Sequence, residues 1–154
     1  MSETMNEENV RERQYVVVRL GDESYGIKIE YVDNIVRMQR VTRVPKSQPY
    51  FAGVINLRGE VVPVMSLRVR FGLPVDEYTN ATRIIIAKSE DQAMIGLIVD
   101  EVREVVNMDN STVENPSFKL SEDTASYLTG IGKNGDSLIS LLDIEKVLKE
   151  SSAV

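Results

Sequence analysis

Carboxylates, arginines and one glycine-rich turn are the groups in this sequence that could do chemistry. Acidic residues come in adjacent pairs: Asp22 and Glu23, Glu90 and Asp91, Glu122 and Asp123. Two carboxylates facing each other across a cleft can serve as acid and base in hydrolysis. Adjacent acids beside glycine, serine and asparagine are instead the signature of solvated turns and helix starts. The sequence has no histidine and no cysteine. Their absence removes the commonest general base, the Ser–His and Cys–His nucleophile pairs and all thiolate chemistry. A zinc site would have to be built from carboxylates alone, which is rare, so neither a metal nor a cofactor is expected. GKNGDS at 132–137 has two glycines but not the spacing of a phosphate loop. The group left to explain is Arg58 in GVINLRGEVV, set beside Gly59 between two aliphatic runs with no catalytic partner nearby. A guanidinium held at such a corner can aim at a carboxylate, or it can simply keep a turn soluble.

The elements that position Arg58 are short strands. Val54 to Leu57 and Glu60 to Met65 read as the arms of a hairpin, with Arg58 and Gly59 at its corner and the glycine supplying positive φ. Before it, Gln14 to Leu20 and Tyr25 to Glu30 read as strands joined by a turn. Tyr31 to Val36 reads as one helical turn, Arg40 to Pro45 as a strand, and Ser47 to Phe51 as another helical turn. Pro63 needs an edge or a bulge, because it has no amide to give a ladder. Ser66 caps a short helix that Gly72 and Pro74 stop. In the second half, Asn134-Gly135 is the strongest turn signal, and Asp143 to Lys149 is an amphipathic helix.

A net charge of −6 and a pI near 4.8 argue against nucleic acid as a partner and weakly against an anionic membrane surface. No apolar run approaches the roughly 20 residues of a membrane helix, so no membrane insertion is expected. The start, MSETMNEENVRERQ, is polar throughout, unlike a signal peptide, and residues 1–13 read as a disordered arm. The cytoplasm is the expected location.

The chain also repeats itself. GIKIEYVDNIVRM (26–38) aligns without a gap on GLIVDEVREVVNM (96–108), so that Val32 falls on Val102, Ile35 on Val105 and Met38 on Met108. Upstream, YVVVRL (15–20) aligns on RIIIAK (83–88). Downstream, YFAG (50–53) aligns on YLTG (127–130), and RGEVVPVMSL (58–67) roughly on NGDSLISLLDI (134–144). This predicts two equivalent halves, 14–77 and 78–150, joined by FGLPVDEYTNAT (71–82), each a small mainly β barrel of about five strands. Halves of this size bury only about 60% of their unfolded surface, so they should lean on each other across an apolar seam.

GVINLRGEVVPV followed by SLRVRFGL, IVDEV at 98–102, SLISLLDIEKVL at 137–148, LGDESYGIKI at 20–29 and YLTGIG at 127–132 together resemble the CheW family of chemotaxis coupling proteins. The resemblance spans residues 14 to 149. It implies two SH3-like five-stranded barrels packed side by side with a few short helices, and no enzymatic activity. It further implies an adaptor that bridges the cytoplasmic tip of a chemoreceptor to the regulatory domain of the histidine kinase CheA, recruited to membrane-associated receptor arrays. The same module occurs fused to a receiver domain in CheV, and this sequence has no room for one. Receptor contact is implied at Val32, Arg58, Val102 and Val105. The repeat adds Ile35, in a seam groove suited to a receptor helix; the alternative is that these apolar residues are inter-barrel core. Many relatives carry a glutamate where Asn34 stands, which leaves Glu30 or Asp33 to pair with Arg58, or leaves Arg58 free for the receptor. Kinase contact is implied at Ala52, Gly53 and Val61, with core as the other reading of Val61; the second barrel is a further source of kinase contacts. A small-ligand sensor with a polar pocket at the seam, and an enzyme using paired carboxylates, are the competing functions.

Overall fold

The computed structural model describes residues 12–74, 77–109, 113–114 and 127–151. The expected arm therefore lies outside the described residues up to residue 11, as do Glu122 and Asp123. Strand β1 (Glu12–Leu20) turns into β2 (Glu23–Lys28), and a 3-10 turn (Ile29–Tyr31) leads to β3 (Val32–Arg37). Strands β4 (Phe51–Leu57) and β5 (Glu60–Ser66) form the hairpin, followed by helix α1 (Leu67–Arg70). Then come β6 (Arg83–Lys88), β7 (Met94–Val99), β8 (Glu101–Asp109), the two-residue β9 (Val113–Glu114), β10 (Leu128–Asn134), β11 (Ser137–Leu142) and helix α2 (Ile144–Ser151).

The fold is mainly β, two SH3-like barrels with a few short helices, as the resemblance implied. Its strands form one sheet in the order β8-β1-β2-β11-β10-β9 and another in the order β3-β6-β7-β5-β4. Neither sheet belongs to one half of the sequence. The first combines β1 and β2 with β8 to β11; the second combines β3 to β5 with β6 and β7. Replacing each strand by its repeat partner turns the first order into the second, β9 apart, so the duplication survives as two halves that exchange strands. The exchange also creates two parallel contacts in an otherwise antiparallel fold, β11 with β2 and β5 with β7. At each of them a glycine lets the strands close up: Gly26 lies opposite Leu141, and Gly96 opposite Val64. A Cβ on Gly26 would sit 2.9 Å from Leu141 Cδ2, and one on Gly96 2.7 Å from Ile84 Cγ2.

Several local expectations change. Residues 32–37 form a strand, because Val32, Asn34 and Ile35 pair with Ala87, Ile86 and Ile85, and a bulge at Asp33 produces the spacing that mimics a helical turn. Arg40 to Pro45 is not a strand: only Thr42 bridges to Val54. Ser47 to Phe51 contains no helical turn. The second hairpin turns on Gly135 and Asp136, since Asn134 still pairs with Ser137. In the first, both Arg58 (φ 54°) and Gly59 (φ 85°) are left-handed, the I′ geometry that suits the twist of a two-residue hairpin. Pro63 lies in a central strand rather than at an edge. Its partner Val54 spends both backbone groups on Thr42, at 2.8 Å each, and the parallel pairing with β7 begins only at Val64. Ser66 does cap α1, its hydroxyl accepting from the Val69 amide at 3.2 Å, and Asp143 does the same for the Lys146 amide at 3.2 Å at the start of α2.

The apolar residues sort into three clusters. Tyr15, Val17, Val106, Met108, Ile139 and Leu141 fill one barrel, and Ile55, Val62, Val64, Ile84, Ile86 and Ile98 fill the other. The largest lies between the two sheets and takes Val16, Val18 and Leu20 from one, Ile85, Ala87 and Leu97 from the other, and Leu67, Ile144, Val147 and Leu148 from the helices. This seam corrects the aligned register of the first strands. Val16 faces the seam as Ile85 does, while Ile84, its partner in the alignment, faces a barrel interior. The true equivalence is one residue further along, because Val17 pairs with Gly26 nine residues on while Ile86 pairs with Gly96 ten residues on. One residue of slip moves a strand's whole apolar set to the opposite face.

Candidate protein-binding site

Strands β3 and β8 are repeat partners and are the edges of their respective sheets. Val32 pairs with Ala87 and Ile35 with Ile85; Val102 pairs with Val18 and Val105 with Val16. Directly opposed residues share a sheet face, and all four partners belong to the seam cluster. These four predicted contacts therefore continue the seam face outward. Val32 and Val102 are half-buried against the cluster, while Ile35 and Val105 are 39% and 52% exposed. The seam itself is not an open groove, because side chains of the protein fill it. The core reading thus describes Val32 and Val102 in part, and the surface reading describes Ile35 and Val105.

Arg58 stands at the hairpin corner, fully outside the core, and its corner is braced by the Gly59 amide donating to Asn56 Oδ1 at 3.0 Å. Among the described residues it makes no ion pair, with Glu30, Asp33 or any other acid. Val61, three residues on, is 69% exposed, which rejects its core reading. Ala52 is half-buried against the interior cluster of its own barrel. Gly53 is buried, with φ 147°, and a Cβ there would lie 2.2 Å from the Thr42 carbonyl oxygen. It cannot touch a partner directly; it admits the Val41–Thr42 backbone. Sequence reasoning missed Leu138, 51% exposed on β11. It is the repeat partner of Val61, and aligning EVV on SLI would have found it.

Beside Val102 the chain passes from β7 in one sheet to β8 in the other, and Asp100 pins that crossing. Its carboxylate accepts from Arg68 Nε at 2.7 Å and Nη2 at 2.6 Å, and from the Gly21 amide at 2.8 Å; Arg19 Nη1 lies 3.5 Å away. Burial pushes this carboxyl upward, but the Arg68 bonds, the Gly21 amide and the two guanidinium charges outweigh it, so the group titrates below its usual range. The outer pairs, Glu101 with Arg19 and Arg103 at 3.6 and 3.4 Å, are exposed enough to matter little.

A depression of about 500 Å³ lies between the β6–β7 turn and α2. Ile95 and Leu148 contribute apolar surface, and Glu90, Asp91, Asp143 and Glu145 contribute acids. A small-ligand reading could use it. Among the described residues no group of three or more acids is arranged to hold a metal ion, and no helix is long and apolar enough to cross a membrane.

Residues 14–152 match the CheW-like domain family. The chain is 40% identical to the chemotaxis protein CheW of Bacillus subtilis over 138 residues, covering 89% of this chain and 88% of that protein. It is 35% identical to the CheW of Helicobacter pylori, covering 94% and 86%. In three dimensions it is similar to the crystal structure of the scaffolding protein TtCheW from Thermoanaerobacter tengcongensis, with a TM-score of 0.78, 32% identity and coverage of 86% and 84%.

Proposed function

The chain belongs to the CheW-like family, and we propose that it is a non-catalytic adaptor in chemotaxis that couples chemoreceptor tips to the histidine kinase CheA. It would work in the cytoplasm, recruited to membrane-associated receptor arrays. The observation that carries this reading is the set of aliphatic side chains left exposed in repeat-related pairs: Ile35 with Val105, and Val61 with Leu138. A core needs none of them, and duplicated apolar surface gives one small chain several places to dock.

In this reading the edges β3 and β8 meet an apolar stripe of the receptor helix, through Val32, Ile35, Val102 and Val105. Arg58, already fixed in a rare backbone conformation and without an ion-pair partner among the described residues, offers its fork to a receptor carboxylate. Val61 and Ala52 form the kinase face, and Leu138 supplies a second one on the other barrel. Two unlike faces on one protomer allow heterologous contacts that build rings or arrays.

The test is reconstitution: CheA autophosphorylation measured with a receptor fragment, with and without this protein. Activation that requires the protein is the expected result. Arg58→Ala should fold normally and weaken receptor binding by about 2 kcal/mol, around thirtyfold. Wild-type receptor binding and kinase activation by that variant would remove Arg58 from the site. Kinase activity indifferent to the protein, with a small molecule raising its melting temperature, would favour the ligand-sensor reading instead.

A further inference from the structure

The charges of this acidic protein are segregated. From Asn34 to Gly59 the sequence carries five of the chain's 18 cations, Arg37, Arg40, Arg43, Lys46 and Arg58, and none of its 24 acids. All five are exposed, and among the described residues none makes an ion pair. Four of them lie in or beside the segment 38–50 that joins β3 to β4. That segment has no regular structure, yet it is firmly placed. Thr42 exchanges two backbone hydrogen bonds with Val54, at 2.8 Å each, and Val41 packs on the barrel's interior cluster. The Ser47 hydroxyl donates to the Val44 carbonyl at 2.9 Å, and the Phe51 amide to the Gln48 carbonyl at 3.0 Å. The close approach at Thr42 is possible only because residue 53 is glycine.

We propose that this strap is an electrostatic docking surface for an acidic segment of the kinase partner, and that Gly53 acts on the kinase face by holding the strap rather than by contact. The inference rests on the kinase-face reading above. The strap continues that face: a depression of about 340 Å³ is lined by Arg43, Lys46 and Ala52 together. Charge selects the occupant. With a net charge of −6, the protein repels an acidic partner over most of its surface. The strap is the stretch where attraction replaces repulsion, so it orients the encounter as well as holding the complex. Cations fixed by a hydrogen-bonded backbone lose little freedom when they are engaged.

The experiment measures binding of the CheA regulatory domain, and separately of a receptor hairpin fragment, at low and high salt. Arg40→Glu/Arg43→Glu changes only exposed side chains and should melt with the wild type. It should weaken regulatory-domain binding at least about tenfold at roughly 50 mM salt, a loss shrinking to about twofold near 0.5 M, where the Debye length is only about 4 Å. Gly53→Ala should show the same salt-dependent loss. Val61→Glu separates the two claims: if it abolishes regulatory-domain binding while the charge reversal changes neither affinity nor salt dependence, the kinase face stands and the strap is refuted. A reversal that weakens only receptor binding also refutes it. A wild-type protein that does not bind the regulatory domain removes both.

Discussion

Asp100→Asn isolates the charge at the crossing between the barrels while preserving shape. The wild-type carboxylate receives both Arg68 bonds, at 2.7 and 2.6 Å, and the Gly21 amide. Both side chains of the pair are largely shielded, at 14% exposure for Asp100 and 19% for Arg68. Asparagine keeps one acceptor but loses the charge that makes these bonds strong. Hydrogen bonds to a charged group contribute about 1.5–3 kcal/mol each; with its oxygen toward Arg68 Nη2 and the Gly21 amide, asparagine loses the Arg68 Nε bond, so the net loss should be about 2 kcal/mol. For a chain of this size that is about 4–8 °C in melting temperature. The pH dependence supplies the stricter check. Because the folded carboxyl titrates below its unfolded value, near about 3.9, its stabilisation is present above that value. It disappears as the pH falls through the folded value. Thermal melts of wild type and variant should therefore differ most at neutral pH and converge in strong acid. Equal melting temperatures at neutral pH would refute the reasoning, as would a gap that persists unchanged in acid.

Gly96→Ala should cost about 1–3 kcal/mol in denaturant unfolding, since its Cβ meets the branched Cγ2 of fully buried Ile84 at 2.7 Å. Gly26→Ala should cost less, because its Cβ meets the tip of Leu141, which can rotate; the reverse order would contradict the packing described. The Tyr25 phenol is pushed up to about 12 by burial and then by the charge and hydrogen bond of Glu23. The unfolded phenol ionises near about 10, so stability should begin to fall as the pH rises past that value; ultraviolet titration showing every tyrosine ionising together near the ordinary value would be inconsistent with that burial.

Much of the chain is legible locally. The hairpin corner at Arg58 and Gly59, the Ser66 cap, the amphipathic α2 and the duplication itself follow from turn chemistry, capping and period, all of which act over a few neighbouring residues. The failures are also physical. Residues 31–36 look helical because a bulge at Asp33 adds one residue to a strand and breaks its alternation. Gly53 looks like part of a contact surface because a sequence shows that a position is small, not what fills the space beside it. At Ile35 and Val105 the groove and core readings both stay open in the sequence, because an apolar side chain at the rim of a seam is written with the same letters as one inside it.

Sequence alone determined that this protein has no histidine or cysteine chemistry, that it is built from two related halves of short strands, and that those halves must share an apolar seam. Tertiary structure decided which strands make each barrel. The pairing energies of β2 with its neighbours are blind to which half supplies them, so the exchange of β8 and β10–β11 against β3–β5 has no local signature. It also decided that Val16 matches Ile85 rather than Ile84, since a side chain's face depends on a register set by partners far along the chain. The same holds for exposure: Val61 and Leu138 remain in solvent because they point away from the barrel interiors that Val62 and Ile139 fill, and the parallel neighbours pair only from Val64 and Ile139 onward, a fact of assembly rather than of residue type.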